Sequence, residues 1–225
     1  MTPRSRSRSK SSDRSGTTAS GSESPIYELV VVFVVIFALQ QLTALISLGF
    51  MAGLFVLTPP LSANPWTIVT SVYAHGSVGH LLSNSLALVV FGWPVARATT
   101  RLRFHAFFLV TGAIAGVVQI LVTNAAAAIP LVGVAGTAGV LGASGAVFAL
   151  LGYLVAANRL SSGLRSVVDV PPWLAAVIVI ALAVAVTLAT TAPGVALLAH
   201  FSGFVLGLLA GRARILSVDS RRTVA

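Results

Sequence analysis

Four polar residues stand out inside otherwise apolar stretches of this 225-residue chain: His80, Asn84, Ser144 and His200. A serine beside a histidine can act as nucleophile and general base, the imidazole taking the hydroxyl proton as the oxygen attacks a carbonyl carbon. Ser144 stands in the run Gly142-Ala143-Ser144-Gly145. Glycine permits a tight turn into a helix, and a helix N-terminus leaves backbone N–H groups unpaired. Such groups can stabilise the oxyanion that forms when a serine attacks an amide. His80 and Asn84 are spaced i and i+4, which places them on one helix face. Their side chains can add donors to the same site.

The elements that must position these groups follow from composition. The chain is 56% hydrophobic and 8% charged, whereas a soluble domain carries roughly 25% charged residues. So few charges cannot clothe a water-facing surface, and the bilayer must be the solvent. Six apolar segments are expected as spans: 26–57, 78–95, 104–122, 140–157, 173–192 and 195–210. Helices are the choice because lipid offers backbone groups no partners. The first run is too long for the apolar region of a signal peptide. Trp66, Trp93 and Trp173 suit the membrane interface.

Charge placement sets the orientation. All 14 basic residues fall in the tail, after the second span, after the fourth, or at the C-terminus. The intervening loops carry no charge. The positive-inside rule then gives an all-α, multi-pass protein of the cell membrane with both termini cytoplasmic. Its parts are a disordered basic tail (1–25), a six-span membrane domain (26–214) and a cytoplasmic C-terminal tail (215–225). The net charge is +9, but its distribution suits anionic lipid headgroups and argues against nucleic acid.

In this topology the second, fourth and sixth spans run inward from the outer face. His80, Asn84, Ser144 and His200 each lie near the start of one of them. At ~1.5 Å rise per residue, all four sit within roughly 10 Å of the outer surface. Two stripes of small residues, Gly145-Ala149-Gly152-Ala156 and Gly203-Gly207-Gly211, would let the fourth and sixth spans approach closely and bring His200 towards Ser144. No acid completes a triad. Asp13, Glu23, Asp169 and Asp219 lie outside the spans, and Glu28 is at the cytoplasmic end. The arrangement is a Ser–His dyad. With no cysteine, disulfides and thiolate metal sites are excluded.

At these residues the chain resembles the rhomboid family of intramembrane serine proteases. Gly142-Ala143-Ser144-Gly145 is similar to the family's nucleophile motif. Ala199-His200-Phe201-Ser202-Gly203, followed by Gly207, is similar to its second motif. His80-Leu81-Leu82-Ser83-Asn84 resembles its His and Asn pair, and His75 matches a further histidine often found there. The resemblance implies a six-helix rhomboid-like bundle with catalytic Ser144 and His200. It implies an oxyanion hole of His80, Asn84 and backbone N–H groups, that of Ala143 among them, with Gly142, Gly145 and Gly203 supporting. It implies cleavage of single-span membrane proteins near the outer face without a cofactor or metal. Three positions depart from the family pattern: Trp66 is followed by Thr67 rather than arginine, no acid lies near Phe91-Gly92-Trp93-Pro94, and Phe148 replaces a tyrosine. Phe148 keeps an aromatic ring able to pack on His200.

Other readings explain less. A metal- or haem-binding bundle on His75, His80 and His200 leaves Ser144 and its glycines without a purpose. A transporter predicts an internal repeat or an acid within a span, and neither is visible. A non-catalytic relative that only binds client helices needs neither Ser144 nor His200. His75 alone reads as structural or external, and His105, beside Arg101 and Arg103, as interfacial.

Overall fold

A computed structural model of the chain describes residues 24–131, 133, 135–157, 177 and 196–217. The expected fifth span, 173–192, lies outside them apart from residue 177, as do nearly all of the N-terminal tail and most of the C-terminal one. The described part is predominantly helical.

The first apolar run forms two helices rather than one. Helix α1 (Pro25–Ile46) starts at Ser24, whose hydroxyl accepts the Ile26 N–H. Pro25 occupies the first turn, where its missing N–H removes no helical bond. At Ser47 the backbone turns extended, and the Ser47 hydroxyl accepts the Phe50 N–H at 3.0 Å to start α2 (Leu48–Phe55). Hydropathy does not register this break because apolar residues flank it on both sides. The break is a capping event. One narrow stripe of α1 is buried: Ile26, Leu29, Phe33 and Gln40.

Helix α3 (Thr67–Tyr73) lies in the stretch between the first two expected spans. The second span is continuous over Val78–Ala96 and is built from three pieces: α4 (Val78–Ala87), a π-helical turn (Leu88–Gly92) and α5 (Trp93–Ala96). Pro94 has no N–H to donate one turn back, a recognised cause of helix irregularity, and the wider turn immediately precedes it. Then follow α6 (Arg101–Ala127), α7 (Ser144–Ala157) and α8 (Leu197–Arg212).

Among the described residues, Pro25–Ile46, Val78–Ala96 and Arg101–Ala127 are long and apolar enough to cross a membrane, and α7 and α8 are shorter apolar helices. Helix α7 is the central element. Its residues from Gly145 to Leu150 are all buried, as expected of a helix with neighbours on every side. Against α8 the approach is backbone to backbone. A Cβ at Gly203 would strike the Gly145 carbonyl oxygen, one at Gly207 that of Ala149, and one at Gly152 that of Phe204. Small residues at a helix interface permit this approach.

The two ends of the bundle are tied differently. At the N-terminal end of α1, the Glu28 carboxylate pairs with Arg101 and meets His105 Nε2 at 2.7 Å. His105 therefore has a specific partner beyond an interfacial position. At the opposite end, Leu57 and Val140 exchange two backbone hydrogen bonds of 2.9 Å, and the Gly142 N–H donates to the Ser71 carbonyl at 2.9 Å. The residues just before Ser144 are thus held outside the helix, pinned to Leu57 and Ser71. The helix expected from residue 140 begins at Ser144.

Candidate active site

The approach to Ser144 depends on one glycine. Gly142 has φ +131°, a region that side chains on Cβ disfavour. Space forbids a Cβ as well, since one would lie 2.7 Å from Cε1 and 2.9 Å from Nε2 of His80. Past this turn the chain enters α7 with Ser144 as its first residue. The Val147 N–H donates to the Ala143 carbonyl at 3.0 Å. The N–H groups ahead of it belong to the first helical turn, where intrahelical acceptors are missing.

His80 enters from α4. Its backbone N–H is capped by the Ser77 hydroxyl at 3.1 Å, and its Nδ1 accepts the Gly76 N–H at 3.4 Å. In a neutral imidazole a nitrogen that accepts leaves the other to carry the proton. This hydrogen bond therefore assigns the proton to Nε2, on the ring edge that lies against Gly142. Asn84, one turn further along, is buried. Its Nδ2 donates to the His80 carbonyl at 3.1 Å, which leaves the second amide hydrogen for another acceptor.

His200 enters from α8. It is buried, and its ring stacks on Phe148 at 4.3 Å between centroids and 13° between planes. Phe148 follows Ser144 by one helical turn, so both lie on one face of α7. The Ala199 N–H donates to Gln119 Oε1 at 3.1 Å, and Gln119 Nε2 donates to Thr123 Oγ1 at 2.8 Å. An amide on α6 thus holds the backbone just ahead of His200.

Ser144, His200, His80 and Asn84 line a single cavity of about 1020 Å³, with Phe91, Phe148 and Leu151 among its apolar walls. Gly145 and Gly203 are away from it, at the α7–α8 contact, and Ala143 is fully buried. Among the described residues Glu28 is the one carboxylate, and it is committed to Arg101 and His105. No group of three His, Cys, Asp or Glu side chains among the described residues could hold a metal ion. Chemically, the cavity combines a hydroxyl, two imidazoles and an amide beside a helix N-terminus, which suits acyl transfer.

Two supporting residues have no motif to announce them. Gln40 and Gln119 show only as amides within apolar spans, a signal of some role but not of which. His75 is buried rather than external, with its ring edge-on to His80 at 5.2 Å.

A family model described as Rhomboid domain matches residues 62–216. No curated protein matches the chain.

Proposed function

The chain belongs to the rhomboid family, whose model covers more than half of it, and on that premise we propose that it is a serine endopeptidase cutting single-span membrane proteins near the outer face of the bilayer. The family is one of intramembrane serine proteases acting on membrane-protein substrates. What carries the finer reading is the shared cavity: Ser144, His200, His80 and Asn84 come from three helices and line the same space.

In this reading His200 accepts the Ser144 hydroxyl proton as the oxygen bonds to the scissile carbonyl carbon. The carbonyl π-electrons move to oxygen. The resulting oxyanion receives hydrogen bonds from His80 Nε2–H, Asn84 and the backbone N–H groups around Ala143. Protonated His200 then gives its proton to the leaving amine, and the C–N bond breaks. Water, deprotonated by His200, hydrolyses the acyl-enzyme and restores Ser144. Phe148 holds the imidazole plane that a triad would assign to a carboxylate. Gly142 admits His80, Gly145 admits Ala115 of α6, and Gly203 lets α8 approach α7. No cofactor takes part.

The proposal extends to placement. The chain crosses the cell membrane six times with both termini cytoplasmic, residues 26–214 forming the membrane domain. The basic tail (1–25) rests on anionic headgroups, and the C-terminal tail (215–225) is cytoplasmic. A regular substrate helix keeps its amides hydrogen-bonded and shielded, so the expected clients carry Gly or Pro in the outer half of their span and small residues at the cut.

The test is incubation of purified protein in lipid with a model single-span substrate, beside Ser144→Ala and His200→Ala. The parent cleaves, Ser144→Ala does not, and His200→Ala falls nearly to background. Replacing the substrate's helix-weakening residues by Leu slows the parent. Full cleavage by folded Ser144→Ala refutes the reading, and a parent that binds such spans without cutting them is a binder rather than a protease.

A further inference from the structure

The first span carries a buried amide to which the catalytic scheme gives no task. Gln40 is 3% exposed and ends the single buried stripe of α1. A polar side chain within a span is costly unless it has work to do. Its Oε1 accepts the main-chain N–H of His75 at 2.9 Å, across 35 positions of sequence. This hydrogen bond ties α1 to the short segment that leads into α4.

That segment sets the surroundings of His80. The His75 ring is 1% exposed and packed between two others, with Phe33 at 4.8 Å and His80 at 5.2 Å. Burial, with His80 as a lesser cause, pulls the His75 imidazole down to about 4. It is therefore neutral near pH 7 and does not repel a charge on His80. The next residue, Gly76, supplies the N–H that His80 Nδ1 accepts. One anchored dipeptide thus provides both the ring packed beside His80 and the donor that decides which His80 nitrogen is protonated.

We propose that Gln40 is a positioning residue for His80. By anchoring the His75-Gly76 backbone from the first span, it sets the plane of the His80 ring and keeps the proton on Nε2, facing Gly142 and the turn into Ser144. Gln40 lies outside the matched family region, which begins at residue 62. The catalytic consequence rests on the protease reading, whereas the tautomer does not.

Two substitutions separate positioning from packing. Gln40→Leu removes the acceptor at similar volume, and Gln40→Glu keeps an acceptor oxygen. Gln40→Leu is expected to lower kcat about tenfold with little change in KM, short of the ~10²–10³-fold cost of deleting an oxyanion donor. Gln40→Glu recovers most of that loss. In a His80→Ala background Gln40→Leu costs nothing further, because its effect passes through His80. Equal losses in both backgrounds overturn the proposal. A second readout is independent of cleavage: imidazole ¹⁵N spectra, with His80 assigned by its absence in His80→Ala. The parent shows the Nε2–H form, and Gln40→Leu shows a mixture of tautomers. Identical His80 signals in the two proteins overturn the proposal. If the parent cleaves nothing, the protease reading fails and the spectra alone decide.

Discussion

A serine hydroxyl is a weak nucleophile, so the worth of Ser144 depends on its neighbours. His200 lines the cavity stacked on Phe148. His80 lines it too, with Nε2 against Gly142. These roles are unequal, and so are the expected losses. In the proposed mechanism His80→Ala and Asn84→Ala each remove one donor from a set, and each should lower kcat by ~10²–10³ while leaving measurable turnover. Single-turnover kinetics on folded protein checks this. Loss of all turnover in Asn84→Ala would make that residue more than one donor among several. That these four residues share one cavity was legible in sequence because each is polar within an apolar span, and two lie near glycines at telling spacings. Gln40 and Gln119 were not legible in the same way. Their partners are main-chain N–H groups of His75 and Ala199, 35 and 80 positions away, and no local pattern encodes such a pairing.

At the scale of elements, glycine decides how close two helices come. Gly203 and Gly207 meet carbonyl oxygens of α7, with no flexible side chain between them to yield. Gly53, in α2, has nothing within 4 Å of an added Cβ. The same residue type should therefore respond in opposite ways. Gly203→Val should destabilise the fold by about 3 kcal/mol or more, beyond usual overpacking because backbone must move, and should abolish activity by parting His200 from Ser144. Gly53→Ala should be neutral or stabilising by up to about 1 kcal/mol, from helix propensity alone. Thermal unfolding in one detergent reads both. Equal effects at the two positions would count against the close pairing. The glycine spacing made this contact legible. The break at Ser47 and the π-turn before Pro94 were not, because capping and helix widening leave the apolar run unbroken. The start of α7 at Ser144 was also hidden. Residues 140–142 are apolar or small, yet bonds to Leu57 and Ser71 hold them out of the helix.

For the whole molecule, five of the six apolar segments contain helices among the described residues, and the proposed orientation rests on charge. In that proposed topology basic residues flank the spans on one side only, so residues near Ser62 and Ala126 should be reached by a membrane-impermeant label from outside. Single cysteines introduced there test this in a chain that has none of its own. Labelling of the Ala126 position from the cytoplasm alone would break the six-span arrangement. Orientation in turn sets the depth of the cavity, and depth sets which part of a client span can enter. The proposal at the centre is narrower: Ser144 is an activated nucleophile, made so by His200 with no carboxylate beside it among the described residues. It is tested most directly by reacting the membrane-embedded protein with a fluorophosphonate, locating the adduct by mass spectrometry, and measuring cleavage alongside. The account predicts an adduct on Ser144, none in Ser144→Ala, and a large loss of both adduct and cleavage in His200→Ala. Undiminished cleavage by folded Ser144→Ala, or an adduct on another residue with Ser144 untouched, would contradict it.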